Sequence, residues 1–102
     1  MVLCTFPNAE VAQATAATLV EEGLAACVNL LPQVTSIYRW EGIVETAAEV
    51  LAIIKTTRDA YPRLEERICQ LHPYEVPELL AFLAAQGLEA YLAWVRQSVT
   101  AP

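Results

Sequence analysis

Apolar residues fill the opening segment Met1–Phe6 and stop at Pro7, which predicts a short buried strand. The period then changes. From Ala9 to Glu22 the positions Ala12, Ala16, Leu19 and Gly23 mark one face of a helix. Asn8 is placed to cap its first-turn amides, and Glu10 favours the positive end of its dipole. Gly23 falls where a helix end calls for positive φ. Ala25–Leu31 predicts a second strand, in which Pro32, having no N–H to donate, marks a bulge, bend or break. Val34, Ser36, Tyr38 and Trp40 then alternate with Thr35, Ile37 and Arg39, a period of two. Glu41-Gly42 reads as a hairpin turn, and Ile43 opens a long strand that ends near Thr56.

Helical spacing returns at Tyr61, Leu64, Ile68 and Leu71, with Thr57 or Asp59 as the cap and Pro62 tolerated in the first turn. The helix must stop at His72, because a residue before proline avoids the α region. Leu79–Leu83 predicts a short buried strand. Beyond Gly87, a last helix is built on Leu88, Tyr91, Leu92, Val95 and Val99. The order βαββαβ plus a C-terminal helix is the split βαβ, ferredoxin-like pattern of an α+β fold. No repeat or linker divides residues 1–102, so one domain is expected. The hairpin is long for so small a body. Its tip must protrude, and a protruding ribbon carrying Tyr38, Arg39, Trp40 and Glu41 calls for a partner subunit to cover it.

Composition supports association. Of 102 residues 56% are hydrophobic, high for a small chain whose whole surface must be polar. Twelve acidic residues against six basic ones give a net charge of -6. A single Lys and scattered Arg cannot build the basic patch that phosphate-backbone binding needs, which argues against nucleic acid. No apolar run approaches the ~20 residues of a membrane span, and the start lacks the basic region of a signal peptide. Three cysteines at irregular spacing, Cys4, Cys27 and Cys69, suit reduced thiols in the cytoplasm.

The densest polar cluster is His72-Pro-Tyr-Glu-Val-Pro-Glu78, a loop stiffened by two prolines. His72 is the only imidazole, and it reads either as a structural hydrogen-bonder or, with Glu75 and Glu78, as part of a divalent-ion set. Cys69 stands three residues before it, so a thiol–imidazole pair is open. Cys4 and Cys27 fall in predicted strands, where a free thiol is ordinarily a small buried hydrophobe, although both are soft ligands. Lys55, with Thr56 and Thr57 before a helix start, reads as an anion pocket or as an ion-pair partner of Glu75 or Glu78. No GxSxG, glycine-rich phosphate loop or HExxH is present, and no enzymatic activity is expected.

Five segments carry a resemblance. Leu24-Ala-Ala-Cys-Val-Asn29, Ser36-Ile-Tyr-Arg-Trp-Glu-Gly42, Lys55-Thr-Thr57 and His72–Glu78 are similar, in order and spacing, to those of the CutA divalent-cation tolerance family, and Tyr91-Leu-Ala-Trp94 resembles its C-terminal signature. The resemblance implies a homotrimer joined through long ribbons, with an architecture like that of PII signalling proteins. It implies a role in tolerance of divalent cations, with no obligatory cofactor and with Cu(II) or another divalent ion as the candidate ligand. The ligands suggested for the family are a first-strand cysteine, matched by Cys4, and the glutamate closing the Pro-Glu pair, matched by Glu78. The third, a histidine before His-Pro-Tyr, is replaced by Leu71, so His72 would have to substitute. The alternative function is a PII-like small-ligand sensor or scaffold using intersubunit clefts near Lys55, Tyr74 and Glu75.

Overall fold

A computed structural model of the chain describes residues 1–100. The elements run β1 (Val2–Phe6), α1 (Ala9–Glu21), β2 (Cys27–Trp40), β3 (Ile43–Lys55), α2 (Tyr61–Leu71), β4 (Leu80–Ala81) and α3 (Glu89–Ser98). The strands form one antiparallel sheet in the order β2-β3-β1-β4. Each helical crossover therefore joins two parallel strands with a third lying between them. No helix among the described residues is long and apolar enough to cross a membrane.

Register assigns the two faces of the sheet. Val2, Cys4 and Phe6 of β1 stand beside Ile54, Ala52 and Val50 of β3, and all six are buried. They pack with Ala12 and Leu19 of α1 and with Leu64 and Ile68 of α2 in one core. Removing a Leu, Ile or Phe side chain of this kind from water contributes about 1.5–3 kcal/mol. The opposite face carries Leu3, Leu51, Ile53 and Leu31, opposite one another in register, and no helix covers it. A smaller cluster of Ala26, Ala60, Val95 and Val99 seats α3 against the start of β2 and of α2.

The β2–β3 ribbon outruns the body. β1 pairs with β3 only over Val50–Ile54, whereas β2 and β3 pair for seven further positions, from Val34↔Glu49 to Trp40↔Ile43. Seven pairs reach about 23 Å at strand rise, and the longest molecular dimension is 44 Å. Pro32 produces a bulge: the register shifts between Leu31 and Val34, with Gln33 at φ 61°. The tip turns on Glu41 (φ 51°) and Gly42 (φ 80°), the two positive values of a type I′ turn, whose twist matches that of the ribbon.

Helix ends follow the sequence reading in most respects. Asn8 Oδ1 accepts from the Val11 amide at 2.9 Å. At the other end of α1, Gly23 has φ +73°, its N–H donates to Val20 O and the Leu24 N–H donates to Leu19 O. These are the paired bonds of a Schellman motif, closed by buried Leu19 and Leu24. α2 begins at Tyr61, one residue later than an Asp59 cap would start it and one turn later than a Thr57 cap would. Ala60 is its N-cap residue, Pro62 lies in its first turn, and Thr57 Oγ1 accepts from the Ala60 amide at 3.2 Å. The strand expected at Leu79–Leu83 is reduced to Leu80–Ala81, extended by the reciprocal pair Met1–Phe82. It is exposed rather than buried, because it lies at the sheet edge and nothing packs on it.

Gly23 also touches the chain end. Its carbonyl accepts from the Thr100 amide at 2.8 Å, and an added Cβ would meet Thr100 Oγ1 at 2.0 Å. At Gly42 the same atom would meet nothing within 4 Å. Gly23→Ala and Gly42→Ala therefore share the left-handed backbone cost of about 1–2 kcal/mol, and only Gly23→Ala adds a clash. In urea unfolding at fixed protein concentration, the midpoint should fall further for Gly23→Ala. Equal shifts would mean that the chain end does not bear on Gly23.

Candidate functional site

The Pro-bounded loop after α2 folds back over the end of β1. Because His72 precedes Pro73 it leaves the helix in an extended conformation, and its ring turns inward to only 7% exposure. There Nε2 lies 2.7 Å from Thr5 O, and Nδ1 lies 3.1 Å from the Tyr74 amide. A carbonyl only accepts and an amide only donates, so Nε2 carries the proton and the lone pair of Nδ1 is engaged. The ring also stacks on Phe6, with centroids 4.7 Å apart and planes at 24°, and meets Tyr74 at 4.7 Å. His72 is a fastener of the loop.

Tyr74 passes the connection on. Its ring edge is exposed, but its hydroxyl points inward and donates to Glu49 Oε2 at 2.6 Å. Glu49, at 8% exposure, is a buried carboxylate on the helix-free face. Neither ion pair among the described residues, Arg67–Glu22 or Arg96–Glu89, involves it. Burial and the Glu49 carboxylate raise the Tyr74 hydroxyl well above the ordinary phenol range. Beside these two residues opens a cleft of about 810 Å³, walled by the ribbon residues Tyr38, Trp40 and Glu45 and by the loop residues Tyr74, Glu75 and Glu78. It has aromatic walls, four carboxylates and no basic side chain. Glu49 escaped the sequence reading. Its signal was a lone carboxylate followed by the apolar run Val50–Ile54.

The other candidates are dispersed. Cys4 has no solvent exposure and faces the helices. Burial foremost, then the charges of Glu78, Cys69 and Glu49, pushes its thiol from 9.0 up to about 12. Glu78 is exposed at the cleft, and Leu71 is partly buried. Among the described residues no three His, Cys, Asp or Glu side chains are grouped to hold a metal ion. Within one chain Cys4, His72 and Glu78 are therefore not grouped as a copper centre: the thiol is sealed in the core facing the helices, and both imidazole nitrogens are engaged.

Lys55 lies at the far end of β3, away from Tyr74 and Glu75. Its Nζ donates to Asn29 Oδ1 and sits 3.5 Å from Cys27 Sγ, which in turn is 3.5 Å from the Tyr91 hydroxyl. Neither the anion pocket at Lys55 nor its pairing with Glu75 or Glu78 is formed within one subunit. Cys69 is exposed on α2, apart from the buried His72 ring, and the structure gives no thiol–imidazole bond. On the ribbon, Tyr38 and Trp40 share the helix-free face, with Tyr38 bonded to Glu45 at 3.5 Å. Arg39 takes the other face and donates to Gly42 O at 3.2 Å, while Glu41 forms the turn.

Comparison with known proteins places this geometry. The profile of the CutA1 divalent ion tolerance protein family matches residues 1–98. A divalent-cation tolerance protein CutA from Thermus thermophilus is 52% identical, over 96% of this chain and 95% of its own length. A solved structure of the Thermus protein superposes with a TM-score of 0.95, covering 97% of this chain and 96% of that one. The human protein CutA is 50% identical over 91% of this chain, which spans only 52% of the human length. A structure described as a PII-like protein CutA from a Nostoc species superposes at 0.91 with 40% identity, covering 97% and 95% of the two chains.

The Cys4 thiol gives a pH prediction with a fixed sign. Its folded value lies above its unfolded one, so the stability it contributes is complete below about pH 9 and is lost as pH rises toward 12. Tyr74, also raised, acts in the same direction. Urea midpoints measured from pH 8 to 11 should decline at the alkaline end, with a shallower decline in Cys4→Ala and in Tyr74→Phe. Slopes identical to the parent would show that neither group is sheltered.

Proposed function

This chain belongs to the CutA1 divalent ion tolerance family, and we propose that it serves divalent-cation tolerance as a non-enzymatic homotrimer of ferredoxin-like subunits in the cytoplasm. The observation that carries the assembly is the uncovered sheet face. Leu3, Leu51, Ile53 and Leu31 share one face with Tyr38, Trp40 and Ile43 of the ribbon, an apolar band interrupted by Glu45 and Glu49 and costly to leave in water on a monomer. The strand order β2-β3-β1-β4 supports the ferredoxin-like description. Closure of identical copies around an axis buries this band without leaving an unmatched end.

The cation role does not run through a copper centre at Cys4, His72 and Glu78, for the reasons of burial and tautomer given above. What the chain offers a cation is the field of a cleft with four carboxylates, which attracts without chelating. A second reading, a ligand-responsive trimer of the PII-like kind, is favoured by the same cleft. A pocket of about 810 Å³ with aromatic walls and one buried carboxylate has the features of a small-molecule site.

Two measurements test the proposal. Light scattering on the eluting protein should give three times the 11.2 kDa chain mass, reduced by Trp40→Asp. Calorimetric titration with Cu(II) should give weak heats that are unchanged in Cys4→Ser and Glu78→Gln. Tight, saturable copper binding lost in both variants would restore the metal centre and overturn the reading. A stable monomer would remove its structural basis.

A further inference from the structure

Half of the basic residues in this acidic chain converge on one place. Arg58, Arg63 and Arg96 are three of the six Lys and Arg residues, and all three line a second cavity of about 480 Å³ between the start of α2 and the body of α3. Among the described residues its one acidic lining side chain is Asp59. In a chain of net charge -6, a cavity with a local excess of two positive charges opposes the overall trend. We infer that this cavity is a binding site for a phosphate-type oxyanion, separate from the carboxylate cleft on the ribbon.

Three observations beyond charge support it. Arg63 Nε is buried without a hydrogen-bond partner, the one such side-chain nitrogen or oxygen among the described residues. A buried donor left unmatched is costly, and although Nε is closed off from the cavity here, a turn of the guanidinium toward an oxyanion in the cavity would give it an acceptor. Its neighbour Nη2 donates to Thr100 O at 2.9 Å, an exposed bond that keeps the guanidinium beside the cavity. The Thr57 hydroxyl accepts from the Ala60 amide, which leaves its own hydrogen free to donate. Finally, α2 begins here over eleven residues with no side-chain cap on its N-cap residue, so the positive end of its dipole faces the cavity without a competing carboxylate cap.

The acidic groups among the described residues do not cancel the site. Arg96 pairs with Glu89 at 3.3 Å, but both side chains are more than half exposed, and such a pair yields readily to a better-placed anion. Asp59 is exposed and has no ion-pair partner among the described residues. The remaining wall, Leu92, Val95 and Val99, is apolar. The ligand class is therefore a small phosphate or diphosphate group, either free or carried on a compact organic body. The sequence placed anion chemistry at Lys55 with Thr56 and Thr57. The structure turns Lys55 away to Asn29 and leaves the chemistry to the arginines.

The test uses the assembled protein in metal-free buffer at constant ionic strength, titrated with inorganic phosphate and then with pyrophosphate. Amide and guanidinium Nε resonances are followed by heteronuclear NMR. The expected result is saturable shifts confined to Thr57–Ala60 and to the Arg63 and Arg96 Nε signals. Affinity should fall at least tenfold in Arg58→Gln and in Arg96→Gln and be unchanged in Arg39→Gln, which removes a charge at the ribbon tip. Arg63→Gln also loosens Thr100, so the two exposed arginines carry the decision. Shifts that fail to saturate, that arise elsewhere, or that weaken equally in Arg39→Gln would overturn the inference, as would the absence of any shift.

Discussion

A sheet with helices on one side only has an unbalanced face, and much of this molecule follows from that asymmetry. α1 and α2 cover the face formed by Val2, Cys4, Phe6, Val50, Ala52 and Ile54, while Leu3, Leu51, Ile53 and Leu31 look the other way, where no helix lies over them among the described residues. The core side is packed tightly enough to hold a thiol that does not ionise below strongly alkaline pH. The bare side extends into a ribbon that one subunit cannot shield. The same strands that build the core with one set of side chains thus present a second apolar set on the other face.

Within that frame the acidic and basic groups separate. The cleft beside Glu49 holds four carboxylates and no base, whereas the cavity beneath α3 holds three arginines and one acid. A net charge of -6 averages the two and conceals both. The loop from His72 to Glu78 sets the first of these regions. Pro73 forces His72 out of the helix, the imidazole locks between Thr5 and Tyr74, and Tyr74 then reaches Glu49. The most chemically suggestive residue in the sequence thus acts mainly as a joint.

Much of the fold could be read from residue spacing, because capping and turn chemistry are local. Asn8, Gly23, Glu41-Gly42 and His72-Pro73 act on backbone within a few residues of themselves, and each punctuates the chain where expected. The site was less legible. Whether Cys4 points to solvent or core depends on strand register with Ala52, and whether His72 is free depends on Thr5, far away along the chain. Lys55 shows the same limit, since its partners Asn29 and Cys27 belong to the neighbouring strand. The convergence of Arg58, Arg63 and Arg96 required α3 to dock on Ala26 and Ala60, which no local pattern announces.

The bulge at Pro32 and Gln33 has a consequence for how copies of this chain can meet. β2 is an outer strand of the sheet, and a long, regular outer strand is a template on which further chains can add without limit. Here the template is interrupted. Proline offers no donor, Gln33 is twisted to φ 61°, and the register slips before the ribbon resumes. At the other edge β4 offers only two residues of ladder. With both edges blunted in this way, a highly apolar chain is guarded against edge-to-edge growth into fibres.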